Sequence, residues 1–140
     1  MTLTSLIYPM FAMVFLTFVI LISLFITRVR AVKTGKIKAS YFKTYQGQQE
    51  PDLSLKLSRH FTNIFEAPTL FYIACLAGMI TQVTALAFLL LAWLYVVLRV
   101  LHAYIHTGKN NIQRRINIYM SSWAVLLVMW VYLVAHVTIG

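Results

Sequence analysis

The chain has 140 residues, of which 61% are hydrophobic and only 11% are Asp, Glu, Lys or Arg. Soluble domains carry about 25% charged residues, so this composition excludes an ordinary soluble protein and indicates one membrane-embedded domain. The formal net charge is +9, but the lysines and arginines flank apolar stretches. Lipid headgroups and anionic ligands are therefore better partners for them than nucleic acid, which we do not expect to bind.

The first predicted element is a membrane span. No charged residue occurs between Met1 and Thr27. A helix of about 20 residues crosses the roughly 30 Å hydrocarbon core of a bilayer, and the apolar run Leu6–Ile26 is long enough for this. The sequence therefore predicts a span over residues 5–27, followed by a basic loop that begins at Arg28.

The next stretch without charges, Ala67–Leu98, contains 32 residues. As one helix it would be roughly 48 Å long, so we expect a helical hairpin with its turn near residues 81–84. Each arm then has only about 15 uncharged residues, so both arms must extend into polar sequence to cross the bilayer. This gives a second span over 57–80 and a third over 84–106. The last apolar stretch gives a fourth span over 115–138.

The charge distribution supports four spans. All twelve Lys and Arg then lie on or near the side that holds loops 28–58 and 107–115, whereas the 80–84 turn and both termini carry none. Basic loops stay in the cytoplasm, so we expect both termini on the non-cytoplasmic side. Three spans would divide the basic residues between the two faces. The sequence thus predicts an all-α, integral membrane four-helix bundle that forms a single domain over residues 1–140.

Polar residues repeat at helical spacing near the cytoplasmic end of three predicted spans. Because each residue turns the helix by about 100°, positions i, i+4 and i+7 share one face. Polar residues in a span are costly unless they face a protein interior or a wet cavity, so we expect these three faces to surround a site. The stripes are Arg59, Asn63 and Glu66; Tyr95, Arg99, His102 and His106; and Arg115, Tyr119 and Ser122.

These residues also have structural interpretations. Intramembrane charges usually neutralise one another, so Glu66 can simply pair with Arg59 or Arg99. Other polar residues can act as interhelical contacts or headgroup anchors, namely Asn63, Lys109, Arg114 and Arg115. As a set, however, the arginines outnumber the one carboxylate at this depth. A ligand here should therefore be an anion, or a polyanion whose ammonium group binds Glu66.

The ordered set of motifs resembles the MAPEG family, the membrane-associated proteins in eicosanoid and glutathione metabolism. The segment Arg59–Pro68 resembles the family's second-helix signature, which is an Arg, an Asn four residues on, a Glu three further and then a Pro. The segment Arg99–His102 resembles the end of the third helix. A basic loop and Arg114-Arg115, leading into Tyr119, follow it. The resemblance covers nearly the whole chain.

The resemblance implies a homotrimer that binds glutathione between neighbouring protomers at the cytoplasmic side. It implies a transferase, peroxidase or isomerase that uses glutathione to act on a lipophilic electrophile. Arg114 or Arg115 would hold the cysteinyl sulfur as thiolate, and Glu66 would bind the γ-glutamyl amine. The implied glutathione-binding residues are Arg59, Asn63, Glu66, Arg99, His102 and Tyr119.

Because glutathione supplies the nucleophilic thiol, the protein itself needs no nucleophile. An arginine beside the sulfur lowers the thiol pKa from about 8.5, so that more of the thiol is the reactive thiolate at neutral pH. Cys75, the one cysteine, is then not required, and we expect it to be a small buried hydrophobic residue.

Other functions compete with this one. Some family members have tyrosines where this chain has His102 and His106, and together with His60 these histidines suggest a haem-binding protein. A cation transporter would need a carboxylate in an uncharged cavity, whereas Glu66 lies among arginines. A non-catalytic binding or scaffold protein of the same fold is a third alternative. No metal site is expected, because Glu66 is the only carboxylate in the predicted spans.

Overall fold

The computed structural model describes residues 2–47, 49–108 and 111–139. Lys109, a candidate headgroup anchor, lies outside these residues. The regular structure of the described part is helical, and a short 3-10 helix at Leu3–Leu6 leads into the first long helix. The α-helices are α1 (Ile7–Lys33), α2 (Tyr41–Thr44), α3 (Asp52–Ile64), α4 (Ala67–Ile80), α5 (Leu86–Thr107) and α6 (Ile112–Ile139).

Four helical segments are long and apolar enough to cross a membrane, which confirms the predicted number of spans for the described residues. They are Thr4–Lys33, Asp52–Ile80, Leu86–Thr107 and Ile112–Ile139. Large apolar side chains are exposed along all four segments, as expected for helices that face lipid or other copies of the chain.

The second span consists of two helices rather than the single helix predicted over 57–80. It begins at Asp52, and α3 ends at Ile64 before α4 begins at Ala67. Pro68 lies in the first turn of α4, where its missing N–H and its ring prevent a continuous helix. Glu66 lies in the break, with φ −84° and ψ −83°. The glutamate of the predicted stripe is therefore not part of the same helix as Arg59.

The main apolar core is formed by α1, α4, α5 and α6. Phe71 of α4 stacks on Tyr95 of α5, with ring centroids 4.5 Å apart. Gly78 lies against the Phe88 ring, where a small residue lets two helices approach closely. Cys75 is a free, buried cysteine in this core, which confirms the prediction for it.

The loop after α1 is tied to the bundle by Arg28. Its Nε donates a hydrogen bond to Glu50 Oε1 at 3.0 Å, and its Nη2 donates to Ser58 Oγ at 3.3 Å. Its guanidinium also lies 5.0 Å from the ring centroid of Phe42, a cation–π contact.

The ends of α1 and α5 lie with the start of α3 at one end of the bundle, where Thr27, Leu53 and Thr107 line one pocket. Most of the described lysines and arginines lie in or beside these helix ends. We call this end the basic end.

Candidate functional site

A cavity of about 460 Å³ lies between α3, α5 and α6 near the basic end. Each of the three helices contributes polar side chains from its predicted stripe. The lining residues are Arg59, Thr62, Asn63, His102, His106, Arg115, Ile116 and Tyr119. The structure therefore brings parts of all three stripes to one site.

Arg99 packs beside this cavity and connects its three helices. The side chain is only 1% exposed. Its Nη2 donates a hydrogen bond to the backbone oxygen of Asn63 at 3.2 Å, and its guanidinium lies 5.9 Å from the Tyr119 ring centroid. Its Nε and Nη1 have no hydrogen-bond partner among the described residues. A buried cation with two unpartnered donors is costly, so Arg99 retains strong capacity to bind an anion.

Three buried histidines form a cluster at the cavity, which we call the histidine cluster. The ring centroid of His60 lies 5.4 Å from that of His102 and 5.0 Å from that of His106, and the last two are 5.7 Å apart. The rings pack against one another, so no slot for a porphyrin separates them, and this argues against the haem alternative. Within the described ranges, no group of three His, Cys, Asp or Glu could hold a metal ion.

The two adjacent arginines at the start of α6 face different pockets. Arg115 is partly buried and lines the cavity, as does Tyr119 one turn further on. Arg114 is exposed and lines a separate pocket with Tyr104 and Asn111. Neighbouring residues on a helix point about 100° apart, so only one of these two arginines faces the cavity.

Glu66 is not among the lining residues of the cavity. It is exposed at the break between α3 and α4, and it is close enough to Arg99 for an electrostatic interaction. The predicted i, i+7 relation to Arg59 assumes a continuous helix, and the break removes that condition.

The other members of the predicted stripes have structural contacts. Tyr95 is fully buried against Phe71. Ser122 Oγ donates a hydrogen bond to the backbone oxygen of Tyr119 at 2.7 Å. Two lining residues, Thr62 and Ile116, were not predicted. The spacing of Thr62, three residues after Arg59 on the same helix, is the signal that could have identified it.

One protein-family model matches most of the chain, including the helices that form the cavity. The MAPEG family model matches residues 6–135, which include all the residues that line the cavity. No curated protein and no solved structure matches the chain. The match spans most of the sequence and confirms the resemblance seen in the motifs. The chain belongs to the MAPEG family.

Proposed function

We propose that the protein is a membrane-bound, glutathione-dependent transferase whose glutathione site is the cavity between α3, α5 and α6. The observation that carries this proposal is the convergence of polar side chains from three spans on one cavity in a MAPEG chain. The cosubstrate is glutathione, and the acceptor is a lipophilic electrophile that reaches the site from the bilayer.

The charges around the cavity suit this cosubstrate. Glutathione carries two carboxylates and one ammonium group, and Arg59 and Arg115 line the cavity while Arg99 packs beside it. Guanidinium groups bind carboxylates with paired, charge-assisted hydrogen bonds. Asn63 and Tyr119 add neutral polar groups. The volume of about 460 Å³ falls within the range of small-molecule sites, roughly 300–1,000 Å³.

We assign the thiolate-stabilising role to Arg115 rather than Arg114, because Arg115 lines the cavity and Arg114 lines another pocket. The thiolate attacks the electrophile, so the rate depends on how much of the bound thiol is ionised. A guanidinium beside the sulfur favours the anion and raises that fraction at neutral pH.

The place of Glu66 favours a site completed by a second protomer. The carboxylate is exposed at the helix break, and Arg59 is exposed at the mouth of the cavity. In a homotrimer a neighbouring protomer would cover these groups, and Glu66 would bind the γ-glutamyl ammonium there. Native mass spectrometry should then give a trimer, whereas a stable monomer or dimer would contradict a shared site. The basic end faces the cytoplasm in this proposal.

The test is conjugation by the purified protein in detergent with a panel of electrophiles, including an aryl halide, an enone and a lipid hydroperoxide. A guanidinium about 4 Å from the sulfur stabilises the thiolate by up to about 4 kcal/mol, which corresponds to a thiol pKa that is lower by about three. Arg115→Met should therefore raise the pH at which conjugation reaches half its maximal rate by about one unit or more. The affinity of this variant for glutathione should change little, because other arginines bind the two carboxylates.

Arg114→Met is the matched comparison, since it removes the same charge one residue away. It should leave the pH profile unchanged. If the two variants behave alike, the assignment to Arg115 is wrong. If the parent binds glutathione but conjugates nothing on the panel, the non-catalytic binding protein becomes the better interpretation. If the parent does not bind glutathione, the proposal fails altogether.

A further inference from the structure

Each glutathione that becomes a thiolate in the cavity must give up a proton, and few lining groups can receive it. Arginine remains protonated in proteins, and threonine, asparagine, isoleucine and tyrosine are not bases at neutral pH. Histidine takes up and releases protons in this range. Among the lining residues within the described part of the chain, only His102 and His106 therefore qualify.

The two histidines differ in their neighbours. Arg115 exerts the strongest charge interaction on His106, whereas Arg99 exerts the strongest on His102. If Arg115 holds the sulfur, both histidines lie near it, but a proton on His102 also meets the positive charge of the buried Arg99. His106 also lies one residue before the end of α5, at the basic end, so a proton that it accepts has a short path to water.

His60 supports the ring of His106 from behind. It is fully buried, its ring centroid lies 5.0 Å from that of His106, and neither of its nitrogens has a hydrogen-bond partner among the described residues. A buried polar ring without a partner is expensive to retain. Its ring packs against the other two imidazoles, so it restricts their orientation towards the cavity.

The charges around the histidine cluster couple proton transfer to thiolate formation. A proton added to one of the imidazoles alone would place a further positive charge beside the arginines, which is unfavourable. Transfer from the thiol to an imidazole creates a thiolate and an imidazolium together, and the attraction between them offsets the repulsion. The charged groups that interact with the three histidines are Lys56, Arg59, Arg99 and Arg115, and Tyr119 packs against His102. Glu66 and Tyr95 interact with Arg99 in turn.

We propose that His106 is the general base that accepts the proton of the glutathione thiol, and that His60 is a positioning residue for it. This inference rests on the proposed function. The S–H bond breaks, its electron pair stays on sulfur, and the proton goes to an imidazole nitrogen of His106. With an aryl halide, the thiolate then forms the C–S bond, the halide leaves with its electron pair, and the imidazolium releases the proton to water.

The experiment measures thiolate formation directly. Protein in detergent is mixed rapidly with glutathione, and the thiolate is followed by its ultraviolet absorbance while an indicator dye follows proton release. General base catalysis contributes about a hundredfold or more, so His106→Gln should slow thiolate formation at neutral pH by about that factor. The glutathione-induced rise in melting temperature should remain. Added imidazole should restore part of the rate in His106→Ala, where it can occupy the vacated space.

Three further variants separate chemistry from packing. His136→Gln is the matched control, because His136 contacts the backbone oxygen of Thr81 in the 81–85 turn at 3.1 Å and does not line the cavity. It should form thiolate at the parent's rate. His60→Phe keeps a ring behind His106 and should retain most of the rate, whereas His60→Ala should lower the rate of thiolate formation with little change in glutathione binding.

The outcomes distinguish this inference from the proposed function. If glutathione neither stabilises the parent nor forms a thiolate, both fail. If binding is normal but His106→Gln forms thiolate at the parent's rate, only the role of His106 fails. The parent alone gives a test that needs no variant. A bound base gives a rate that levels off as pH rises, so a rate that rises in proportion to hydroxide without a plateau overturns the inference.

Discussion

Replacement of Arg99 by methionine tests whether this buried cation serves the fold or the ligand. Methionine fills a similar irregular volume without a charge. The change removes the hydrogen bond to the backbone oxygen of Asn63 at 3.2 Å, which is worth about 1.5–3 kcal/mol for a charged donor. It also removes two buried nitrogens, Nε and Nη1, which have no hydrogen-bond partner in the described part of the chain, and each such nitrogen costs about 1–3 kcal/mol. These effects offset, so the free energy of unfolding without glutathione should change by less than about 2 kcal/mol.

Added glutathione should stabilise the parent more than Arg99→Met if Arg99 binds the ligand. At a concentration of about 100 times its Kd, a ligand stabilises the folded protein by about 2.7 kcal/mol. Loss of one charge-assisted contact, about 2 kcal/mol, weakens binding roughly 30-fold. At the same ligand concentration the stabilisation then falls to about 0.9 kcal/mol.

The assay is thermal unfolding in detergent, with and without glutathione, for the parent and Arg99→Met. Lys36→Met is the control, because Lys36 is an exposed cation in the loop after α1 and does not line the cavity. Its glutathione-induced shift should equal that of the parent. The reasoning is refuted if Arg99→Met loses more than about 3 kcal/mol of stability without ligand and keeps the full glutathione-induced shift.

Three other predictions concern the carboxylate, a helix contact and the topology. Glu66→Gln keeps the side-chain shape without the charge and should weaken glutathione binding about tenfold to a hundredfold. An unchanged glutathione-induced shift in melting temperature would remove Glu66 from the site. Gly78→Ala places a Cβ 2.7 Å from Phe88 Cε1, so thermal unfolding should show a loss of about 1–3 kcal/mol, and parental stability would mean that the ring moves aside at little cost. Tags at both termini should be accessible from the non-cytoplasmic face, and a cytoplasmic C-terminal tag would contradict the proposed orientation.

The number of spans was predictable because bilayer thickness is a fixed length. The stretch Ala67–Leu98 is too long for one span and too short for two unless flanking polar residues are included. The membrane-spanning segments Asp52–Ile80 and Leu86–Thr107 include those residues. The break before Pro68 was not predicted, although the proline was part of the motif. A proline is compatible with the first turn of a helix, so its presence alone does not show whether a new helix begins there.

The predicted stripes identified six of the lining residues, since helical spacing determines which side chains share a face. The choice between Arg114 and Arg115 depends on the direction in which the first turn of α6 points, and this is determined by packing against α5. The position of Glu66 relative to the cavity depends on the break. The proposed contacts with a second protomer would leave no periodic signal of their own in a helix that is apolar on every face.

The polar residues of the second span affect its insertion into the membrane. The segment Asp52–Ile80 has the lowest mean hydropathy of the four, and it includes Lys56, Arg59 and Glu66. A charged residue at the centre of an isolated span costs about 2.5–3.5 kcal/mol on insertion, so this span alone partitions weakly into lipid. The short turn at 81–85 connects it to the far more apolar α5, so the two should enter the bilayer as a pair. A polar substitution in α5 should therefore reduce the amount of protein in the membrane before it affects the activity of the molecules that are inserted.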